Sequence, residues 1–225
     1  MTTGTATSTA TATTRTRLTR RGILDAALGT IDRHGLAGLS MHKLGAQLGV
    51  KGMSLYNHVT NKGDLLDGVV ELLWSEVEAQ VEPAVAGDDW CGAVRTYANA
   101  LRAVLRRHPT AAPLLISQQV IPAPALRIVQ ALTAAATSQG VAEAFAHDLL
   151  RTITSYALGS GYVEVGWGMG GPGCPPSVSD LLRPGTPPEL AAVAEVFCGQ
   201  SDPDAQFKLG LDLMLRSLDR QPEAG

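Results

Sequence analysis

Residues 41–59, Met-His-Lys-Leu-Gly-Ala-Gln-Leu-Gly-Val-Lys-Gly-Met-Ser-Leu-Tyr-Asn-His-Val, have the spacing of a helix-turn-helix. Leu44, Leu48, Val50 and Leu55 stand where two short crossed helices need apolar contacts. Gly45 is small where those helices come closest. Gly49 falls where the chain must leave the first helix through positive φ, which a residue without Cβ does at little steric cost. The second helix then offers Ser54, Tyr56, Asn57 and His58 to the outside, polar and aromatic groups of the kind that reach base edges and phosphates. The expected partner is double-stranded DNA.

The flanks extend the unit. Upstream, Ile23, Leu24, Ala27, Leu28 and Ile31 repeat at helical spacing, leaving Arg21, Asp25, Asp32 and Arg33 for the wet side. His34-Gly35 is expected to end that helix, with Gly35 as a left-handed cap. Ser40 is a good N-cap for the next helix. Downstream, Asn61-Lys62-Gly63-Asp64 opens a fourth helix carrying Leu65, Leu66, Val69, Leu72, Leu73 and Val77.

Charge divides the same way. The chain has 225 residues and a net charge of −3. Its first 62 residues hold Arg15, Arg17, Arg20, Arg21, Arg33, Lys43, Lys51 and Lys62 against only Asp25 and Asp32. A cationic end on an acidic body suits a protein that meets phosphates with one end only.

Residues 35–50, Gly-Leu-x-Gly-Leu-Ser-Met-x-Lys-Leu-Gly-x-x-Leu-Gly-Val, and 55–67, Leu-Tyr-Asn-His-Val-x-Asn-Lys-x-x-Leu-Leu-Asp, resemble the tetracycline-repressor family of bacterial regulators. Leu-Tyr-x-His-Val-x-Asn-Lys is the specific part, because helix-turn-helix spacing alone selects no family. The resemblance is strong over 18–75 and weaker beyond. There Asp204, Phe207, Gly210, Leu211 and Asp212 resemble the last helix of the subgroup nearest the tetracycline repressor itself.

The expected fold is all-α: a three-helix helix-turn-helix domain and a larger helical domain for effector binding and dimerisation. The expected divisions are a disordered tail at 1–17, a DNA-binding domain at 18–64 and an effector domain at 65–221. Past residue 75, helices are expected at Trp90 to Arg107, Ala125 to Gln139, Ala142 to about Glu164, Glu189 to Phe197 and Asp204 to Leu218. A Gly- and Pro-rich loop is expected from Gly166 to Pro188. The family forms dimers through a four-helix contact. By resemblance, the helix near 142–164, with Ala142, Ala144 and Ala146, and the last helix, with Phe207, Leu211, Met214, Leu215 and Leu218, would make it. The last stripe suits intramolecular core as well. Two copies would read two half-sites, typically about 34–36 Å apart or a multiple of that.

On DNA, Lys51, Ser54, Tyr56, His58 and Lys62 are expected on phosphates and His42, Met53 and Asn57 on bases, with Gly52 allowing close approach. Arg17, just before the first helix, is open to two readings: a phosphate or minor-groove contact, or a solvated tail. The resemblance also implies a small-molecule pocket. Carried over by position, its wall is Glu78, Val81, Tyr97, Leu101, Leu115, Leu132, Tyr156, Ser160 and Glu164; composition adds Trp74 and Trp167. Large apolar walls with a few polar groups suit an aromatic or hydrophobic effector. Tyr97, Leu101 and Tyr156 also fit plain core. The family's namesake holds its drug with magnesium on a histidine whose position here is about Leu115, and a second drug-contacting histidine falls at Glu78. A magnesium–tetracycline ligand is therefore not expected, and no metal or cofactor is.

The remaining motifs point away from catalysis. Gly159-Ser160-Gly161 is not a nucleophile elbow, and no phosphate loop or His-Glu-x-x-His occurs. His147-Asp148 are adjacent on a helix and do not face each other. Cys91, Cys174 and Cys198 lack metal-ligand spacing and form an odd set, read as reduced thiols in a cytoplasmic protein. Residues 1–14 lack the apolar run of a secretory signal, and no membrane association is expected. The function expected is a homodimeric repressor released from its operator by a small effector. An activator of the same fold, or an α-helical enzyme or ligand carrier, are the alternatives.

Overall fold

The computed structural model describes residues 18–87, 89–117, 120–166, 178–198 and 202–216. Among these residues the structure is helical: α1 Arg20–Gly38, α2 Met41–Gln47, α3 Gly52–Leu55, α4 Lys62–Gly87, α5 Trp90–Arg107, α6 Leu114–Ser117, α7 Ala123–Ser138, α8 Glu143–Gly166, α9 Val178–Leu181, α10 Pro188–Cys198 and α11 Pro203–Leu215.

The reading unit is built by caps and close contacts. Thr19 accepts from the Gly22 N–H at 3.1 Å and Ser40 from the Lys43 N–H at 3.2 Å, so a side-chain oxygen satisfies an orphan donor at the start of each helix. Gly49 takes φ 69°, turning the chain from α2 towards α3. At Gly45 an added Cβ would stand 2.8 Å from the Gly52 backbone nitrogen and 3.0 Å from the Val50 carbonyl, too close for any side chain. Leu44 and Leu55, both fully buried, and Val59 form the apolar floor.

Gly35 behaves differently from the expected left-handed cap. Its φ is 69° but its ψ is 171°, so the chain kinks there and makes another turn to Gly38. That turn closes with the Leu39 N–H donating to the Leu36 carbonyl at 3.2 Å.

α4 joins the reader to the body. It crosses the expected boundary at residue 64 without a break, and its buried face (Leu65, Val69, Leu72, Leu73, Val77, Val81) runs from one part into the other. α5 and α7 pack along it, and α8 packs on α5. One continuous apolar core extends from Ile23 to Leu215. Each fully buried Leu, Ile or Val contributes roughly 1.5–3 kcal/mol relative to exposure. Beyond α4, the expected helices form with ends shifted by a few residues. The stretch 166–188, read as loop, holds the short helix α9 among its described residues.

Of the two readings open for the α11 stripe, intramolecular core applies to three of its residues. Phe207, Leu211 and Leu215 are buried within their own chain, as is Ala146. The stripe on α11 therefore docks that helix, while Ala142 and Ala144 stay exposed. Leu218 lies outside the described residues.

Candidate functional site

The face presented by α2 and α3 is held from behind. Arg20 on α1 donates to the His58 carbonyl at 2.8 Å and pairs with Asp64 at 2.6 Å. Asp64 also accepts from the Thr60 N–H at 2.6 Å. The Arg20 hydrogen bond, aided by that backbone donor, brings the Asp64 carboxyl down to about 2. One guanidinium thus ties the end of the reading segment and the start of α4 to α1, a role for Arg20 that local sequence did not reveal.

On the outer side, Met53 is 75 % exposed and Tyr56 44 % exposed. Lys51, Asn57 and His42 are exposed as well, with Ser54 and His58 half-buried beside them. The reading helix is shorter than its sequence suggested. Regular α-helix ends at Leu55, and the chain continues to His58 in turns closed by Tyr56 N–H to Met53 O at 3.3 Å and His58 N–H to Leu55 O at 2.9 Å. These i→i+3 bonds tighten the segment. Two of the expected contact residues also serve inside the fold. The Lys62 ammonium donates to the Leu39 carbonyl at 3.1 Å and so braces the α1–α2 connection. Gly52 faces α2, where an added Cβ would meet the Met41 carbonyl at 3.2 Å, so its smallness serves helix packing. Arg17 lies outside the described residues.

A second set of contacts docks the reader on the body. His108, the C-cap of α5, is buried between two carboxylates. Its Nδ1 lies 2.8 Å from Asp32 on α1 and its Nε2 3.2 Å from Glu76 on α4. Arg107 reaches Glu76 at 2.5 Å, and the Thr110 hydroxyl donates to the Ile31 carbonyl at 2.8 Å. Asp32, read from sequence as a wet residue, is half-buried here because its partner comes from 76 positions away.

The expected pocket wall divides into three groups. Tyr97, Leu101 and Leu132 are core; the Tyr97 hydroxyl lies 2.7 Å from Thr154 Oγ1, and burial pushes its phenol up. Glu78 and Val81 line a cleft of about 310 Å³ between α4 and α7, with Val85 and Ile128. Arg127 clamps Glu78 there at 2.5 and 2.8 Å, and its hydrogen bond holds that carboxyl below its ordinary value. Tyr156, Ser160 and Glu164 line a different cavity, of about 250 Å³, between α8 and α11. Tyr156 stacks on Phe207 with centroids 5.2 Å apart, and Glu164 is buried against Arg102 at 2.7 Å. Trp74 and Leu115 are half-buried against the core. Trp167 lies outside the described residues. Arg127, 49 positions from Glu78, had no sequence signal that would have found it.

A presented helix-turn-helix is thus joined through the continuous helix α4 to a helical body with side clefts. The family description "Tetracyclin repressor-like, C-terminal domain" matches residues 82–221, and "Bacterial regulatory proteins, tetR family" matches 23–69. The chain belongs to the TetR family. An HTH-type transcriptional regulator of Saccharopolyspora erythraea is 33% identical over 150 residues, covering 67% of this chain and 62% of that one. The HTH-type transcriptional repressor DrrR1 of Streptomyces coeruleorubidus is 42% identical over 94 residues, 41% of this chain and 33% of its own. The chain thus spans less than two thirds of the length of either relative. The Streptomyces coelicolor TetR family protein ActR, solved in complex with actinorhodin, superposes with a TM-score of 0.71 at 25% identity, covering 90% of this chain and 97% of that one. Among the described residues of this TetR-family chain, no helix is long and apolar enough to cross a membrane.

Proposed function

We propose that this chain is a homodimeric transcriptional repressor that leaves its operator when a small hydrophobic or aromatic molecule binds the body. The observation that carries the reading is α4. One end of this 26-residue helix is tied to the reading segment through Asp64 and Arg20, and the other lines the cleft against α7. A molecule that wedges between α4 and α7 breaks the Glu78–Arg127 clamp and tilts the helix. The reader moves with it, because Leu65 and Val69 bury that end of α4 in the reader's core. In a dimer that tilt changes the spacing of two readers, to which half-site binding is sensitive.

DNA contacts are assigned to the exposed face: Met53, Asn57 and His42 to bases, and Lys51, Ser54, Tyr56 and His58 to phosphates. The repressor sign is supported by the relative named as one. The ligand class is supported by the cleft's apolar residues Val81, Val85 and Ile128 and by a similar protein that holds actinorhodin.

Dimerisation is supported by large apolar side chains that stand exposed among the described residues. On α10, Leu190, Val193, Val196 and Phe197 are 57, 63, 83 and 82 % exposed. Leu209 and Leu213 on α11 and Tyr162 and Val163 on α8 are exposed too. Exposed apolar side chains of this kind suit burial against a second copy.

The test is fluorescence anisotropy on the DNA upstream of the chain's own coding sequence. Binding at moderate salt, with affinity falling as salt rises, is expected. Coupling is reciprocal, so operator DNA must lower effector affinity by the factor by which effector lowers operator affinity. An effector bound equally well with and without operator would sink the mechanism.

A further inference from the structure

A further cavity, of about 520 Å³, lies between α5 and α11, away from the α4–α7 cleft. Its size is within the roughly 300–1,000 Å³ of ligand pockets. Its walls are cationic although the chain beyond residue 62 is net acidic. Arg95, Arg102 and Arg106 lie along one side of α5, with Asn99 on the turn between the first two, and Lys208 lines the groove from α11. Arg102 is buried, lies 4.6 Å over the Phe207 ring, and donates through Nε to Glu164. Its Nη2 has no hydrogen-bond partner, an unusual state for a buried guanidinium nitrogen.

The position already holds a carboxylate from the chain itself. Asp204 Oδ1 is shared by Arg102 Nη1 at 2.8 Å and Arg106 Nη1 at 2.9 Å, while the Asp204 side chain remains 68 % exposed. It sits in the first turn of α11 and can rotate into water at small cost. Planar guanidinium forks match carboxylates better than they match spherical anions. Four cations meet three carboxylates here, Asp204, Glu164 and the Asp212 partner of Arg95, which leaves one positive charge over. A simple brace between helices needs neither the surplus nor the open volume.

We propose that the α5–α11 groove binds a small organic carboxylate, whose headgroup displaces Asp204 from Arg102 and Arg106 and whose body lies against Asn99 and Ala103 beside Lys208. Asp204 is then an internal competitor. Calorimetric titration of the full chain with benzoate, glutarate and inorganic phosphate at constant ionic strength tests this. Wild-type protein binds at least one carboxylate. Asp204→Ala binds it roughly tenfold tighter and Lys208→Glu roughly tenfold more weakly, each about the worth of one charge-assisted hydrogen bond. Both positions are exposed, but Asp204→Ala removes a partner of the buried Arg102, so circular dichroism and thermal unfolding verify that each variant is folded at the titration temperature. Absence of carboxylate binding in both wild type and Asp204→Ala overturns the proposal. Equal affinity in Lys208→Glu overturns the placement, and preference for phosphate overturns the ligand class.

Discussion

Asp64 shows how much of the reading face depends on a residue that need not touch DNA. Its carboxylate takes Arg20 from α1 and the Thr60 N–H, and is held at about 2 as a result. A carboxyl depressed on folding contributes stability that is present above its ordinary value of 3.8 and is lost as pH falls through about 2. Asp64→Asn should therefore destabilise the chain at pH 6 by about 1 kcal/mol, a modest figure because Arg20 is partly exposed. In urea titrations the difference from wild type should shrink steadily below pH 4. A pH-independent difference would mean that shape, not charge, makes the contact. Lys62 requires a revised expectation. Its ammonium supports the Leu39 carbonyl, so Lys62→Ala should cost stability as well as DNA affinity, whereas Lys51→Ala should weaken all DNA sequences alike and leave thermal unfolding unmoved.

Among the elements, α2 and α3 depend on a contact with no room in it. Gly45→Ala forces its methyl against the Gly52 backbone, and overpacking of this kind typically costs about 1–3 kcal/mol. Thermal unfolding should register it, and operator binding should fall even though residue 45 is buried. Asn57→Ala should leave stability alone and relax preference at one base pair, by roughly 1–3 kcal/mol of discrimination. An unchanged preference across a set of operator variants would remove Asn57 from the base-reading face. These elements were legible because their signals are local: Ser40 as cap, Gly49 as turn, Leu44 and Leu55 at a fixed spacing. The proposed effector region was much less so. Its helices follow from periodicity, but Glu78 meets Arg127 and Tyr156 meets Phe207 only after α7 and α11 have packed. Helical spacing reports which side of a helix is apolar, not whether that side meets a neighbouring helix or a ligand. For the same reason Phe207 and Leu211 suited interface and core equally; they are core, and Leu209 and Leu213 are left outward.

For the whole molecule, reader and body are docked by His108 between Asp32 and Glu76, with Thr110 on the Ile31 carbonyl. His108→Ala leaves two half-buried carboxylates without their shared partner. Amide hydrogen exchange in α1 should speed up while α7 and α8 keep their protection; uniform acceleration would show a general loss of stability instead of undocking. Assembly is the other property at this scale. Val193→Asp with Phe197→Asp should leave helix content nearly intact, give a monomer by sedimentation and abolish operator binding. A dimer that survives the pair would place the interface elsewhere. α10 has a further consequence. It is an 11-residue helix whose described side chains are all at least partly exposed, and helices of that length are marginal alone in water. Its folding is therefore deferred to whatever covers it. With the proposed dimer as the cover, this stretch should be the first cut by a protease at low protein concentration and among the last at high concentration, and a cleavage order independent of concentration would place the cover elsewhere.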